Sequence, residues 1–122
     1  MKAIDFVAET TREYVEKKQK SQRKKIGQFF TSKETAAFMA QMLKIPPESK
    51  TVSVLDPGAG SGMLTAAVLD ELSKLPGIQE IYVTCYENNQ DVIELLQTNL
   101  NWMQNNSLKK FVYEVRQENY IL

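Results

Sequence analysis

A glycine-rich segment is the part of this sequence best suited to chemistry. Residues 56–62 read DPGAGSG and directly follow an apolar run at residues 52–55. Glycines permit positive φ angles and let the backbone approach a ligand closely, and a helix that starts after them presents unpaired N–H groups. We therefore expect the segment to bind a small polar ligand at the carboxyl end of a strand. The alternative interpretation is an ordinary glycine-rich turn between a strand and a helix.

The spacing of the glycines disfavours two other kinds of ligand loop. A dinucleotide fingerprint G-x-G-x-x-G starting at Gly58 requires glycine where this chain has Met63. A P-loop requires Gly-Lys-Ser/Thr, whereas Gly62 is followed by Met63 and Leu64. A nicotinamide, flavin or nucleoside triphosphate site is therefore not expected.

Alternating strand and helix patterns around this segment predict an α/β fold. β-Branched, aromatic and other apolar residues indicate strands at residues 51–56, 80–86 and 110–116. Apolar residues at three-to-four spacing predict helices at residues 3–25, 62–74 and 89–103. A capping box of Thr31 and Glu34 predicts a further helix that Pro46-Pro47 ends. The alternation predicts parallel strands in the spatial order 3-2-1, with flanking helices, in a partial Rossmann-like fold.

Polar residues follow each predicted strand. Asp56 ends the first strand, Glu87 follows the second, and Asn119-Tyr120 follow the third. These ends share one edge of a parallel sheet, where ligands bind. Glu87 is suited to accept two hydrogen bonds from a ribose diol, although an exposed carboxylate without function is the alternative. Asn88 and Asn89 begin the next helix, and we expect at least one of them to cap it.

Composition places the chain among globular proteins of one small domain. It has 122 residues, of which 43% are hydrophobic and 25% charged. No apolar run approaches the roughly 20 residues of a membrane helix, and the first residues do not resemble a signal peptide. Cys85 is the single cysteine and there is no histidine, so neither a disulfide nor a zinc site is expected. We expect a reducing, cytoplasmic location and no metal.

The net charge is zero but unevenly distributed. Residues 1–30 carry eight Lys or Arg against four Asp or Glu. Most of this excess comes from a stretch without carboxylates: Lys17, Lys18, Lys20, Arg23, Lys24 and Lys25. Such a stretch is suited to contact nucleic-acid phosphates, and a solvated helix face is the alternative.

Three motifs carry a family resemblance. Residues 27–31 read GQFFT, residues 56–62 read DPGAGSG, and Glu87 follows in that order. Together they resemble the amino-terminal part of an adenine-specific DNA methyltransferase of the restriction-modification type, and the resemblance covers about residues 23–122. It implies S-adenosylmethionine as cofactor and DNA as partner. It divides the chain into an N-terminal basic helix at 1–26 and a cofactor-binding part of the methyltransferase domain at 27–122.

The resemblance also assigns roles. Thr31 and Phe30 would contact the methionine end of the cofactor, and Asp56 would either bind its amino group or cap the turn. Asn119 stands where the family has aspartate for the adenine amino group, and Tyr120 would either stack on adenine or simply pack. The complete set of expected cofactor-binding residues is Phe30, Thr31, Asp56, Pro57, Gly58, Ala59, Gly60, Gly62, Glu87, Asn88, Asn119 and Tyr120. Ser32 stands where the family usually has proline.

The family's catalytic segment, Asn or Asp followed by Pro-Pro and an aromatic residue, is not found in the chain. The one Pro-Pro pair, Pro46-Pro47, follows Ile45 and reads as a helix stop. We therefore expect no catalytic residues here, and an inactive cofactor-binding fragment of a larger enzyme. Two alternatives stay open: a non-catalytic nucleic-acid-binding or regulatory module, and a fragment of an RNA or protein methyltransferase.

Overall fold

A three-stranded parallel sheet forms the centre of the fold. The computed structural model describes residues 1–118. Its strands are β1 (Thr51–Asp56), β2 (Glu80–Tyr86) and β3 (Lys110–Arg116), in the order β1-β2-β3. This is the predicted order 3-2-1 viewed from the other edge, and the predicted strands and their parallel pairing are confirmed.

Two helices connect the strands and cover one face of the sheet. They are α4 (Met63–Ser73) between β1 and β2, and α5 (Gln90–Asn106) between β2 and β3. Burial along β2 alternates: Ile81, Val83 and Cys85 are buried in the same core as residues of α4 and α5. The opposite face carries half-buried or exposed side chains. This pattern places the hydrophobic core between the sheet and the two helices.

The N-terminal segment is two helices, so the predicted single helix over residues 3–25 is wrong. The structure has α1 (Ala3–Glu16) and α2 (Lys20–Gly27), and Gln19 between them is extended, with a ψ of 141°. α1 buries Ala3, Ile4, Val7 and Thr11. Within residues 1–118 no residue of α2 is fully buried, so α2 lacks the buried face that fixes α1. The basic stretch thus lies on a separate short helix and the turn that precedes it.

Contacts from both connecting helices fix α1. The carboxylate of Asp70 on α4 accepts hydrogen bonds of 2.9 Å from the backbone N–H groups of Ala3 and Ile4. A carboxylate at a helix N-terminus satisfies unpaired donors and complements the helix dipole, an effect of about 1 kcal/mol. Phe6 stacks on Trp102 of α5 with ring centroids 4.3 Å apart. α1 is therefore an integral part of the core.

The remaining helix, α3 (Lys33–Gln41), begins one residue later than predicted. Its N-cap is Ser32 rather than Thr31, because the Ser32 hydroxyl accepts a hydrogen bond of 3.1 Å from the Thr35 N–H. α3 packs on α4 and buries its small residues Ala36 and Ala40. Its large apolar side chains stay exposed, namely Phe38, Met39 and, just beyond it, Met42 and Leu43. Within the described part of the chain, no helix combines the length and apolar character needed to span a membrane.

Candidate functional site

The turn between β1 and α4 requires glycine at two positions. Gly60 has a φ of 56° and Gly62 a φ of 93°, in the left-handed region that favours glycine. A Cβ atom on Gly62 would lie 3.1 Å from Cδ1 of Leu96, so this residue also permits close packing against α5. Gly62 is the N-cap of α4 and, being glycine, brings no side chain to cap that end. The first amides of α4 therefore follow directly on the glycine turn.

Glu87 joins the glycine turn to the end of β2. Its Oε1 accepts a hydrogen bond of 2.9 Å from the Gly60 N–H, and its Oε2 accepts one of 3.1 Å from the Asn89 N–H. The Ala59 N–H also donates to the carbonyl of Tyr86, at 2.9 Å. A carboxylate offers about four acceptor positions, so Glu87 can accept two further hydrogen bonds. Glu87 is half-buried and faces the space beside the turn.

Asp56 points into the protein and caps the same turn. Its side chain is 5% exposed, and its Oδ2 accepts a hydrogen bond of 2.8 Å from the Thr65 hydroxyl. Burial raises the pKa of this carboxyl, while hydrogen bonds from Thr65 and the Gly58 backbone act in the opposite direction. This is the turn-capping arrangement, one of the two roles that the sequence left open for Asp56.

Cys85, which neighbours Asp56 in the sheet, is an inert thiol. It is fully buried, and burial together with the nearby Asp56 charge raises its pKa to about 12. A thiol with so high a pKa forms almost no thiolate at neutral pH, and the thiolate is the nucleophile. Cys85 therefore belongs to the core.

A cavity of about 510 Å³ lies between the N-terminal helices and the glycine turn. One wall is formed by Gly58, Gly60 and Glu87, and the other by residues of α1, α2 and the segment after them, including Tyr14, Ile26 and Phe30. The rings of Tyr14 and Phe30 meet edge to face, with centroids 5.9 Å apart. A recess of about 60 Å³ beside it is lined by residues that include Thr31, Asp56 and Ser61.

Most of the residues predicted from the sequence line these two spaces. Phe30, Gly58, Gly60, Glu87 and Asn88 line the larger one. Thr31, Asp56 and Ala59 line the smaller, together with Gly58 and Gly60 again. Pro57 and Gly62 line neither of them. Asn119 and Tyr120 lie outside the described residues. Asn89 caps α5 by accepting hydrogen bonds from the N–H groups of Asp91 and Val92.

Other residues of the site did not emerge from the sequence. Tyr14, Lys18, Gln22 and Ile26 form part of the larger cavity wall. The basic character of residues 17–25 was visible, but nothing in the sequence indicated that this stretch folds back over the turn. A second cavity of similar volume, about 520 Å³, lies beside Lys2, Asp70 and Trp102 and contains none of the predicted site residues.

Comparison with known proteins identifies the family. The sequence model of the family described as N-6 DNA Methylase matches residues 3–118. Since this match spans nearly the whole chain, the chain belongs to the N-6 DNA methylase family. The expected family, that of N-6 DNA methylases, is thereby confirmed, and the restriction-modification type stays a prediction. A search among curated proteins gives no significant match.

Asp56→Asn should reveal the energetic effect of burying this carboxylate, because asparagine keeps an acceptor for Thr65. The pKa of Asp56 is raised from 3.8 in the folded protein. The folded protein therefore keeps the carboxyl of Asp56 protonated to higher pH than the unfolded chain does. The contribution of this group to the free energy of unfolding is present at low pH and is lost as pH rises through the folded pKa. We expect the unfolding free energy of the wild type, minus that of the variant, to fall over this pH range and then level off. Urea unfolding at a series of pH values measures the difference. A difference that rises with pH would mean that the hydrogen bonds outweigh burial.

Proposed function

We propose that this chain binds S-adenosylmethionine at the carboxyl edge of the sheet. We further propose that it is the cofactor-binding part of a restriction-modification enzyme that methylates adenine in DNA. The observation that carries the proposal is the pairing of Glu87 with the Gly60 N–H beside a cavity of about 510 Å³. Small-molecule sites commonly have volumes of about 300–1,000 Å³. Family membership supports a methyltransferase, and such enzymes take their methyl group from this cofactor.

The chemistry of the lining residues fits such a cofactor. Glu87 retains acceptor capacity for both ribose hydroxyls while it holds the turn. Among the described residues, nothing lies within 4 Å of a Cβ atom placed on Gly58, so the backbone there is open to a ligand. The Ser61 hydroxyl is buried beside the smaller recess and has no hydrogen-bond partner among residues 1–118. Buried hydroxyls are normally paired, so this atom is available to a polar ligand or a water.

The position of each residue gives it a role in this proposal. Glu87 would orient the ribose, and Phe30 and Thr31 would contact the methionine end. When bound, the cofactor supplies an activated methyl group. Asp56 would act through the turn that it caps, since its carboxylate is engaged by Thr65. Adenine recognition by Asn119 and Tyr120 stays a prediction from the resemblance.

We propose that the basic stretch contacts the DNA backbone. Its six residues are exposed, except for Lys18, which is half-buried over the ring of Tyr14. Within residues 1–118, none of the six forms an ion pair with a carboxylate. α2 contains no acidic residue and buries no side chain. Its charges therefore remain available for phosphate groups close to the cofactor cavity.

We propose that these residues bind the cofactor and do not themselves transfer the methyl group. The segment that holds the target base in the family, as the resemblance describes it, has no counterpart in the printed sequence. Pro46-Pro47 lies between α3 and β1, so it precedes the amino end of a strand and does not follow a carboxyl end. Binding is consequently the property to measure on this chain.

Glu87→Gln should weaken S-adenosylmethionine binding by about tenfold or more, because hydrogen bonds to charged groups contribute about 1.5–3 kcal/mol. Glu94→Gln is the matched control, since Glu94 is an exposed residue of α5 that does not line the cavity. Isothermal titration calorimetry on the wild type and both variants gives the affinities. An unchanged affinity of Glu87→Gln for S-adenosylmethionine would show that Glu87 does not bind the cofactor. No binding by the wild-type chain would contradict the proposed cofactor.

Replacing Lys24 and Lys25 with Gln should reduce the salt dependence of DNA binding. Each phosphate contact contributes about 0.9 to the slope of log K against log salt concentration. Fluorescence anisotropy with a labelled duplex over a salt series measures this slope. Lys44→Gln with Lys50→Gln is the matched control, because both residues are exposed and lie outside the basic stretch. Equal slopes in the two double variants would exclude a DNA contact at Lys24 and Lys25.

A further inference from the structure

A fully buried amide group lies behind the glycine turn. Asn99 of α5 is 0% exposed and lines neither the cavity nor the recess beside the turn. Its Nδ2 donates a hydrogen bond of 2.8 Å to the carbonyl of Ser61, and its Oδ1 accepts one of 2.7 Å from the hydroxyl of Thr10 on α1. A carbonyl can only accept, so the amide nitrogen must face Ser61.

The carbonyl that Asn99 binds has a particular need for this partner. Ser61 lies between the two glycines with positive φ, and it precedes Gly62, the N-cap of α4. The first intrahelical hydrogen bond of α4 runs from the Ala66 N–H to the Gly62 carbonyl. The Ser61 carbonyl therefore lies outside the helical pattern. Leaving a buried carbonyl unpaired would be costly, so the amide of Asn99 favours this conformation of the turn.

The turn is thus held from two sides. On the cavity side, the Gly60 N–H donates to Glu87, and on the core side the adjacent Ser61 carbonyl accepts from Asn99. We propose that Asn99 is a positioning residue. Asn99 holds Gly60 in the position where Gly60 and Glu87 would contact the cofactor. Because Asn99 also accepts a hydrogen bond from Thr10, the conformation of the turn depends on the packing of α1. The expected effect of Asn99 on cofactor binding rests on the proposed function, whereas its expected effect on the turn does not.

Two substitutions test the proposal in the chain without cofactor. Asn99→Leu removes both hydrogen bonds at similar volume, and Thr10→Val removes the donor to Oδ1 at nearly constant shape. Selective ¹⁵N-glycine labelling gives five backbone amide signals, from Gly27, Gly58, Gly60, Gly62 and Gly77. We expect both variants to shift the Gly60 and Gly62 signals and to speed their amide exchange, with the larger effect in Asn99→Leu.

Matched controls separate positioning from general stability. The Thr11 hydroxyl donates to the Val7 carbonyl within α1, at 2.6 Å, so Thr11→Val removes a neighbouring hydrogen bond without touching Asn99. Leu100→Ala opens a cavity next to Asn99 on the same helix and should lower the urea concentration at the unfolding midpoint. Neither control should move the Gly60 and Gly62 signals at a temperature where it is folded. If Asn99→Leu does not fold, the Gly60 and Gly62 signals of Thr10→Val test the positioning role of Asn99.

Cofactor affinity provides the second measurement. We expect S-adenosylmethionine to bind Asn99→Leu about five- to tenfold more weakly than the wild type, the order of one lost hydrogen bond. Thr11→Val should bind like the wild type. Unchanged Gly60 and Gly62 signals in Thr10→Val and Asn99→Leu, or equal changes in Thr11→Val, would overturn the proposal. If the wild type binds no cofactor, the proposed function fails, and the glycine signals still decide the role of Asn99.

Discussion

The positive φ angles of Gly60 and Gly62 are the constraint on which the rest of this structure depends. They reverse the chain within a few residues, so that α4 starts beside the end of β1 and packs against α5. The same reversal directs the Gly60 N–H at Glu87, which connects the ends of two strands. A side chain at either glycine would be strained by the backbone conformation alone. The start of α4 and one wall of the cavity are therefore consequences of one turn.

The N-terminal helices complete the site that the turn begins. α1 is anchored by Asp70 and by stacking of Phe6 on Trp102, so its far end reaches the cavity in a fixed position. There Tyr14 meets Phe30, and the chain continues into the basic helix α2. α2 contributes Gln22 and Ile26 to the cavity while its lysines face outward. A phosphate-binding surface and a cofactor cavity would thus share one short helix.

The strands could be predicted from the sequence because their patterns are local, and most of the residues predicted to bind a cofactor lie close together around the glycine turn. β-Branched runs defined the three strands, and the glycine spacing with Glu87 indicated the ligand edge. The break after Glu16 could not be predicted, since residues 17–25 favour a helix and only the loss of burial beyond α1 separates the two helices. Thr31 and Ser32 are both good N-caps, and the structure uses Ser32, whose hydroxyl accepts from the Thr35 N–H. The sequence did not indicate a role for Asn99, because its hydrogen-bond partner Ser61 is 38 residues away.

If the glycine turn binds S-adenosylmethionine, as we propose, its backbone amides must respond to the cofactor. A titration of the ¹⁵N-glycine-labelled wild-type chain with this cofactor, followed by the five glycine amide signals, tests this. We expect saturable shifts of Gly58 and Gly60, which line the cavity, while Gly77, beyond the opposite end of α4, stays in place. Unmoved Gly58 and Gly60 signals at saturating cofactor, or equal shifts of all five, would contradict it.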